Sequence, residues 1–126
     1  MRAVTTGTAA FALGVTKKDL DNILSRYSVR GFERSRQGLA RRLSLASIEQ
    51  VALAIDLTRD FSIPTPTALL LAEEALSSHE GVITSPGGHL AIHADLDRIR
   101  RDLQAKLTEA IEHVIQPRRG RPPVKE

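Results

Sequence analysis

Apolar positions recur at helical spacing in five stretches of the chain, and two short β-prone runs flank a Pro-Gly-Gly turn in another. The first stretch is short: Thr5 and Thr6 can cap a helix of roughly residues 6–12, and Ala9, Ala10 and Leu13 suit close packing. Gly14 supplies the left-handed residue that ends a helix, and Val15 fills the gap behind it. Thr16 caps the next helix, with Asp19 three residues on in the manner of a capping box. Over 17–26, Leu20, Ile23 and Leu24 fall at i, i+3 and i+4 and bury one face, leaving Lys17, Lys18, Asp21, Asn22 and Arg26 outside.

Residues 28–43 lose this period. Gly31, Gly38 and several Arg interrupt short apolar positions at Val29, Phe32 and Leu43, which suggests a two-stranded wing with a tip near 35–40. Ser44 then precedes a helix to about Asp60, with Ile48, Val51, Ala52, Ile55 and Phe61 turned inward. Thr65-Pro66 marks another helix start, Thr as cap and Pro at the first helical position, running to about Ser78. Its Leu69, Leu70, Leu71, Ala72, Ala75 and Leu76 cover more than one face, which calls for burial on two sides or for a partner chain. Residues 82–93 read as a β-hairpin around Pro86-Gly87-Gly88. Asp95 caps a last helix of about 96–115, whose Leu96, Ile99, Leu103, Leu107, Ile111 and Val114 form one apolar seam. That seam can pack back on its own domain or pair with its twin as a short coiled coil; the reading favours pairing. The fold class is therefore mainly α: a winged helix-turn-helix with a small β-hairpin and a C-terminal dimerisation helix. The chain divides into four units: 1–78 for DNA binding, 79–94 as connector, 95–116 for dimerisation, and 117–126 as a disordered basic tail.

Charge sharpens this picture. The net +3 divides into +6 over residues 1–45, −6 over 46–116 and +3 over 117–126. Two basic ends around an acidic middle suit an anionic polymer. With 126 residues and 41% hydrophobic content there is room for one compact domain and an appendage. Cysteine is absent, which removes disulfides, thiolate metal sites and Cys nucleophiles. No apolar run approaches the roughly 18 residues of a membrane span. A cytoplasmic, nucleoid-associated protein with no membrane partner is the expectation.

Catalytic constellations are not evident. His89 and His93 are four apart, but on a strand that spacing separates them by about 13 Å, too far to share one metal ion. Glu73 and Glu74 are adjacent on a helix and diverge, while Asp95 and Asp97 suit the start of one. Pro86-Gly87-Gly88 does not precede a phosphate-loop Lys. The expectation is a protein that is not an enzyme, with no cofactor, no metal and no small-molecule effector. Three Phe, one Tyr and no Trp are too few to stack the bases of single-stranded nucleic acid.

The order helix, turn, helix, wing, two helices and a dimerising helix resembles the MerR family of bacterial DNA-binding regulators. The likeness covers residues 4–78. It rests on Thr6-Gly7-Thr8-Ala9-Ala10, Leu13-Gly14-Val15-Thr16, the buried Leu20, and Arg41-Arg42-Leu43-Ser44 at the end of the wing, with 48–57 and 63–76 as supporting helices. The family has Arg where this chain has Asp21 and Tyr where it has Asn22, and its effector-binding part is missing. Asp21 would repel phosphate, whereas Asn22 can read adenine in the major groove. The resemblance implies an operator that is bent or untwisted. Arg119-Gly120-Arg121-Pro122 resembles an AT-hook, in which extended Arg side chains lie in a narrow A·T minor groove; the competing reading is a basic solubilising tail.

The expected function is a homodimeric, sequence-specific transcriptional regulator bound to double-stranded DNA. Thr16, Lys17, Lys18, Asn22 and Arg26 would serve the reading helix, Arg34, Arg36, Arg41 and Arg42 the wing, and Arg118, Arg119 and Arg121 the tail. The alternatives are an architectural or partition-type DNA binder of low specificity, and a helical protein–protein adaptor.

Overall fold

A computed structural model describes residues 3–30, 42–78 and 80–119, with side chains of the last helix to His113. The chain is mainly helical, with two small two-stranded sheets among the described residues. Strand β1 (Val4–Thr5) leads into α1 (Thr6–Leu13) and α2 (Lys17–Arg26). Strand β2 (Arg42–Leu43) leads into α3 (Leu45–Phe61) and α4 (Thr65–Ser77). The hairpin β3 (Val82–Thr84) and β4 (Ala91–His93) precedes α5 (Leu96–Arg119).

Local chemistry sets most of these boundaries. Thr5, Thr16 and Ser44 each accept a hydrogen bond from the main-chain N–H three residues on, so α1, α2 and α3 begin on side-chain caps. Asp95 does the same for α5, accepting from Arg98 N at 3.1 Å. Helix α4 departs from expectation. It begins at Thr65 itself, behind Pro64, and no side chain caps it; the fixed φ of Pro66 in the first turn starts the helix without Thr65 acting as cap.

A single cluster of buried side chains runs from Val4 to Ala110, so the hairpin and α5 share the core of the preceding helices. Helix α1 lies between α2 and α5, which explains its small residues: Thr6, Thr8, Ala9, Ala10 and Ala12 are all buried. Leu96, Leu103, Leu107 and Ala110 of α5 are buried within the same chain, against α1 and α3. Arg100 Nε reinforces this at 3.2 Å from Glu49 Oε2 of α3. The seam expected to pair with a second copy is thus taken up inside one chain as far as Leu107, because the small α1 residues let α5 approach closely. Ile99 is half-buried, Ile111 remains partly exposed, and the Val114 side chain lies outside the described residues. Helix α5 also continues through Pro117 to Arg119, four residues beyond the expected end.

The buried face of α3 is wider than the apolar spacing suggested. Ser47, Gln50, Leu53, Ala54 and Leu57 join Ile48 and Val51 inside; Ala52 and Ile55 are half-buried, and Phe61 is exposed, contrary to expectation. Helix α4 buries Ala68, Leu69, Ala72 and Ala75 against α3 and β3, while Leu70 faces outward. The hairpin pairs Val82 with His93, Ile83 with Ile92 and Thr84 with Ala91, as the sequence suggested. Glu74 Oε2 accepts from Thr84 N at 3.3 Å and so ties α4 to β3. Gly81, at φ 71°, closes the base of the hairpin; a Cβ there would collide with the Ala94 carbonyl oxygen.

Candidate nucleic-acid interface

Leu20 and Leu24 are fully buried and Ile23 is half-buried, which fixes how α2 is rotated. The opposite face carries Lys18, Asn22 and Ser25 at i, i+4 and i+7, all exposed, with Arg26 beside them. Thr16 is committed to capping: its Oγ1 accepts from Asp19 N at 3.0 Å. Lys17 points away from the stripe and forms an ion pair with Asp21, Nζ to Oδ2 3.6 Å, so these two charges offset one another. Of the α2 residues singled out from sequence, Lys18, Asn22 and Arg26 therefore occupy the outward face, whereas Thr16 and Lys17 have local partners. Asn22 also stands on the rim of a groove of about 390 Å³ between α2, α3 and α4, floored by Val15, Ile23, Ala54, Ile55 and Leu69.

The expected wing falls mostly outside the described residues, and Arg34, Arg36 and Arg41 with it. Its two ends are described. Arg42 is exposed on β2 opposite Thr5, and β2 pairs with the N-terminal β1, antiparallel, with Val4 opposite Leu43. The strand after the basic stretch is thus held by the segment that opens the chain. Leu43 is completely buried and anchors the strand.

Before the stretch, the main chain of Arg30 is gripped at both polar groups. Ser47 Oγ donates to Arg30 O at 2.7 Å, and Arg30 N donates to Gln50 Oε1 at 2.7 Å. Gln50 Nε2 in turn donates to Leu69 O of α4 at 2.9 Å. Ser47 and Gln50 are 0% and 1% exposed, so each is a buried polar group with its bonding satisfied. Ser47 Oγ also lies 3.2 Å from Oγ of the capping Ser44. Both ends of the basic stretch thus converge on the first turns of α3. Sequence reasoning passed over Ser47, Gln50 and Arg30; the available signal was two polar residues flanking Ile48 and Val51 on the buried face of a helix.

Arg118 and Arg119 lie in the last turn of α5, with side chains outside the described residues, as is all of Arg121. The histidines are accounted for locally. His89 sits in the hairpin turn, Nδ1 2.8 Å from Gly87 O, His93 is paired in β4, and the His113 ring stacks on Phe11 with centroids 4.3 Å apart. His79 lies outside the described residues. Among the described residues no group of three or more His, Asp or Glu is placed to hold a metal ion, and no helix is long and apolar enough to cross a membrane. Asp56, in a cleft between α1, α3 and α5, has its pKa raised by burial and by Asp60, against the opposing pull of Arg59 and Lys106.

Comparison with protein-family models, with curated proteins and with solved structures found no match.

Proposed function

We propose that the chain binds double-stranded DNA as a sequence-specific transcriptional regulator, with the outward face of α2 in the major groove. The observation that carries this is the division of α2. Leu20 and Leu24 fix it to the core, leaving Lys18, Asn22, Ser25 and Arg26 on one exposed side. It is capped at Thr16 and turned off α1 at Gly14, and its polar face is exposed. Asn22 suits bidentate reading of adenine, and Lys18 and Arg26 suit guanine or phosphate. Exposed Arg42 adds charge at the end of the basic stretch. Among the described residues α1, α2, α3 and α4 follow one another in the order in which the MerR resemblance sets its helices, which supports the same reading; the wing itself lies outside those residues. Leu96, Leu103 and Leu107 are buried within the chain, so a second copy would have to pair through another surface.

The test is selection of bound duplexes from a random pool, followed by titration against salt. The wild-type chain should enrich a discrete site and lose affinity steeply as salt rises. Asn22→Ala should change the base preference at one or two positions, whereas Arg42→Ala should weaken all duplexes alike. Enrichment of no site, or an unchanged preference in Asn22→Ala, would overturn the assignment of α2 as the reading helix.

A further inference from the structure

We infer that Arg30 is a phosphate-contacting residue and that Ser47 and Gln50 are the residues that position it. The inference rests on the DNA-binding reading above and adds residues which neither the spacing nor the resemblance picked out.

Arg30 lies beyond the end of α2, past Tyr27, Ser28 and Val29, where a loop would ordinarily leave its main chain to solvent. Instead its N–H and its C=O are each bonded, at 2.7 Å, to a side chain that is all but inaccessible. Two completely buried polar side chains on a mainly apolar helix face are costly to desolvate, and here their buried polar atoms each have a hydrogen-bond partner. They hold one main-chain unit, that of Arg30. Gln50 extends the grip to α4 through Leu69 O, so the root of the Arg30 side chain is fixed to α3 and α4 together. Val29, 6% exposed, anchors the preceding residue in the core. Arg30 is half-buried just past the end of α2, and a long cationic side chain held at a fixed root loses less freedom on meeting a phosphate than one on a free loop. The arrangement also brings the main chain of Arg30 to the first turns of α3, into which β2 and the exposed Arg42 lead.

The experiment is a double-mutant cycle read as DNA affinity. The full-length chain, Arg30→Gln, Gln50→Met and the double variant are titrated with the duplex selected by the wild type and with a random-sequence duplex, across a salt series. Ser47→Ala serves as a second probe of the grip. All are measured at a temperature where circular dichroism shows each variant folded. Arg30→Gln should weaken both duplexes by roughly tenfold. It should lower the log–log salt slope by about one. Gln50→Met, which keeps the volume and every charge, should weaken binding severalfold in the wild-type background and much less in Arg30→Gln. Ser47→Ala should act in the same direction as Gln50→Met. A wild-type chain that binds no duplex overturns the DNA reading and this inference with it. A wild-type chain that binds, with Arg30→Gln unchanged or Gln50→Met equally damaging in both backgrounds, overturns this inference alone.

Discussion

The α1–α2 and α3–α4 pairs turn corners of the same kind. Gly14 ends α1 at φ 74° and ψ 26°, and Ser62 ends α3 at φ 60° and ψ 31°. In each case the next N–H also bonds back into the helix, Val15 to Ala10 O at 3.1 Å and Ile63 to Leu57 O at 3.4 Å. The helices beyond the two corners differ. Past Gly14, α2 commits only its Leu20–Leu24 side to the core and leaves a polar face outward. Past Ser62, α4 is apolar over most of its circumference and buries Ala68, Leu69, Ala72 and Ala75 between α3 and the hairpin. The corner sets the geometry of a helix pair; the residues of the second helix decide whether the pair presents a surface or supports one.

The largest expected effect tests that division within α2. Leu20→Ala removes a side chain that is 0% exposed and should cost about 2–5 kcal/mol in urea unfolding. Lys18→Ala, two residues away on the exposed face, should stay within about 0.5 kcal/mol. Helix α4 offers less tolerance: Ala72→Leu forces extra volume into a fully buried position and should cost about 1–3 kcal/mol. A Leu20→Ala variant as stable as Lys18→Ala would mean that the core does not fix α2, and its outward face would lose its definition.

Much of this was legible in the residues. Leu20, Ile23 and Leu24 gave the rotation of α2, Gly14 and Thr16 its start, and Pro86-Gly87-Gly88 the hairpin, because each is a local signal of period or backbone geometry. The packing of α5 was not legible, since the seam from Leu96 to Leu107 satisfies a second copy and α1 equally well. In three dimensions the short side chains of α1 let α5 pack against it, and Leu103 and Leu107 are buried within the chain. The grip on Arg30 was hidden for a similar reason. Ser47 and Gln50 look like solvent-facing residues until the segment 20 positions before Gln50 is brought beside them. Ser62 was equally hidden because a left-handed Ser has no composition signature, whereas Gly14 announces itself.

The two corners can be compared by exchanging their chemistry. A Cβ at Gly14 meets no atom within 4 Å, so Gly14→Ala isolates the backbone term. It should cost about 1–2 kcal/mol, the penalty of a left-handed L-residue. Ser62→Gly relieves the same strain but adds freedom to the unfolded chain, for a net gain below about 1 kcal/mol. Thermal unfolding of the two variants should therefore move in opposite directions. Loss of stability in Ser62→Gly would show that the Ser62 side chain, rather than the bonding of the corner, holds α3 to α4.

The smallest effect separates the two pairs by charge. On the presenting side, the exposed Lys17 and the half-buried Asp21 form a pair at 3.6 Å that is largely screened by solvent. On the supporting side, Asp56 is partly withdrawn from water in the cleft lined by Ala12, Leu13, Leu103 and Lys106. Burial, followed by Asp60, raises its pKa above 3.8, while Arg59 and Lys106 pull the other way. A raised carboxyl pKa means that the folded chain holds the proton more tightly than the unfolded one. The contribution of Asp56 to stability is then fully present below pH 3.8 and is lost as pH rises through the folded value. Asp56→Asn mimics the protonated form at every pH. Measured against the wild type, it should gain ground between about pH 3 and about pH 7, modestly because the carboxyl is still partly solvated. A difference running the opposite way would mean that the Arg59 and Lys106 cations outweigh burial, and that the cleft joining α1, α3 and α5 is held by ion pairing rather than by packing.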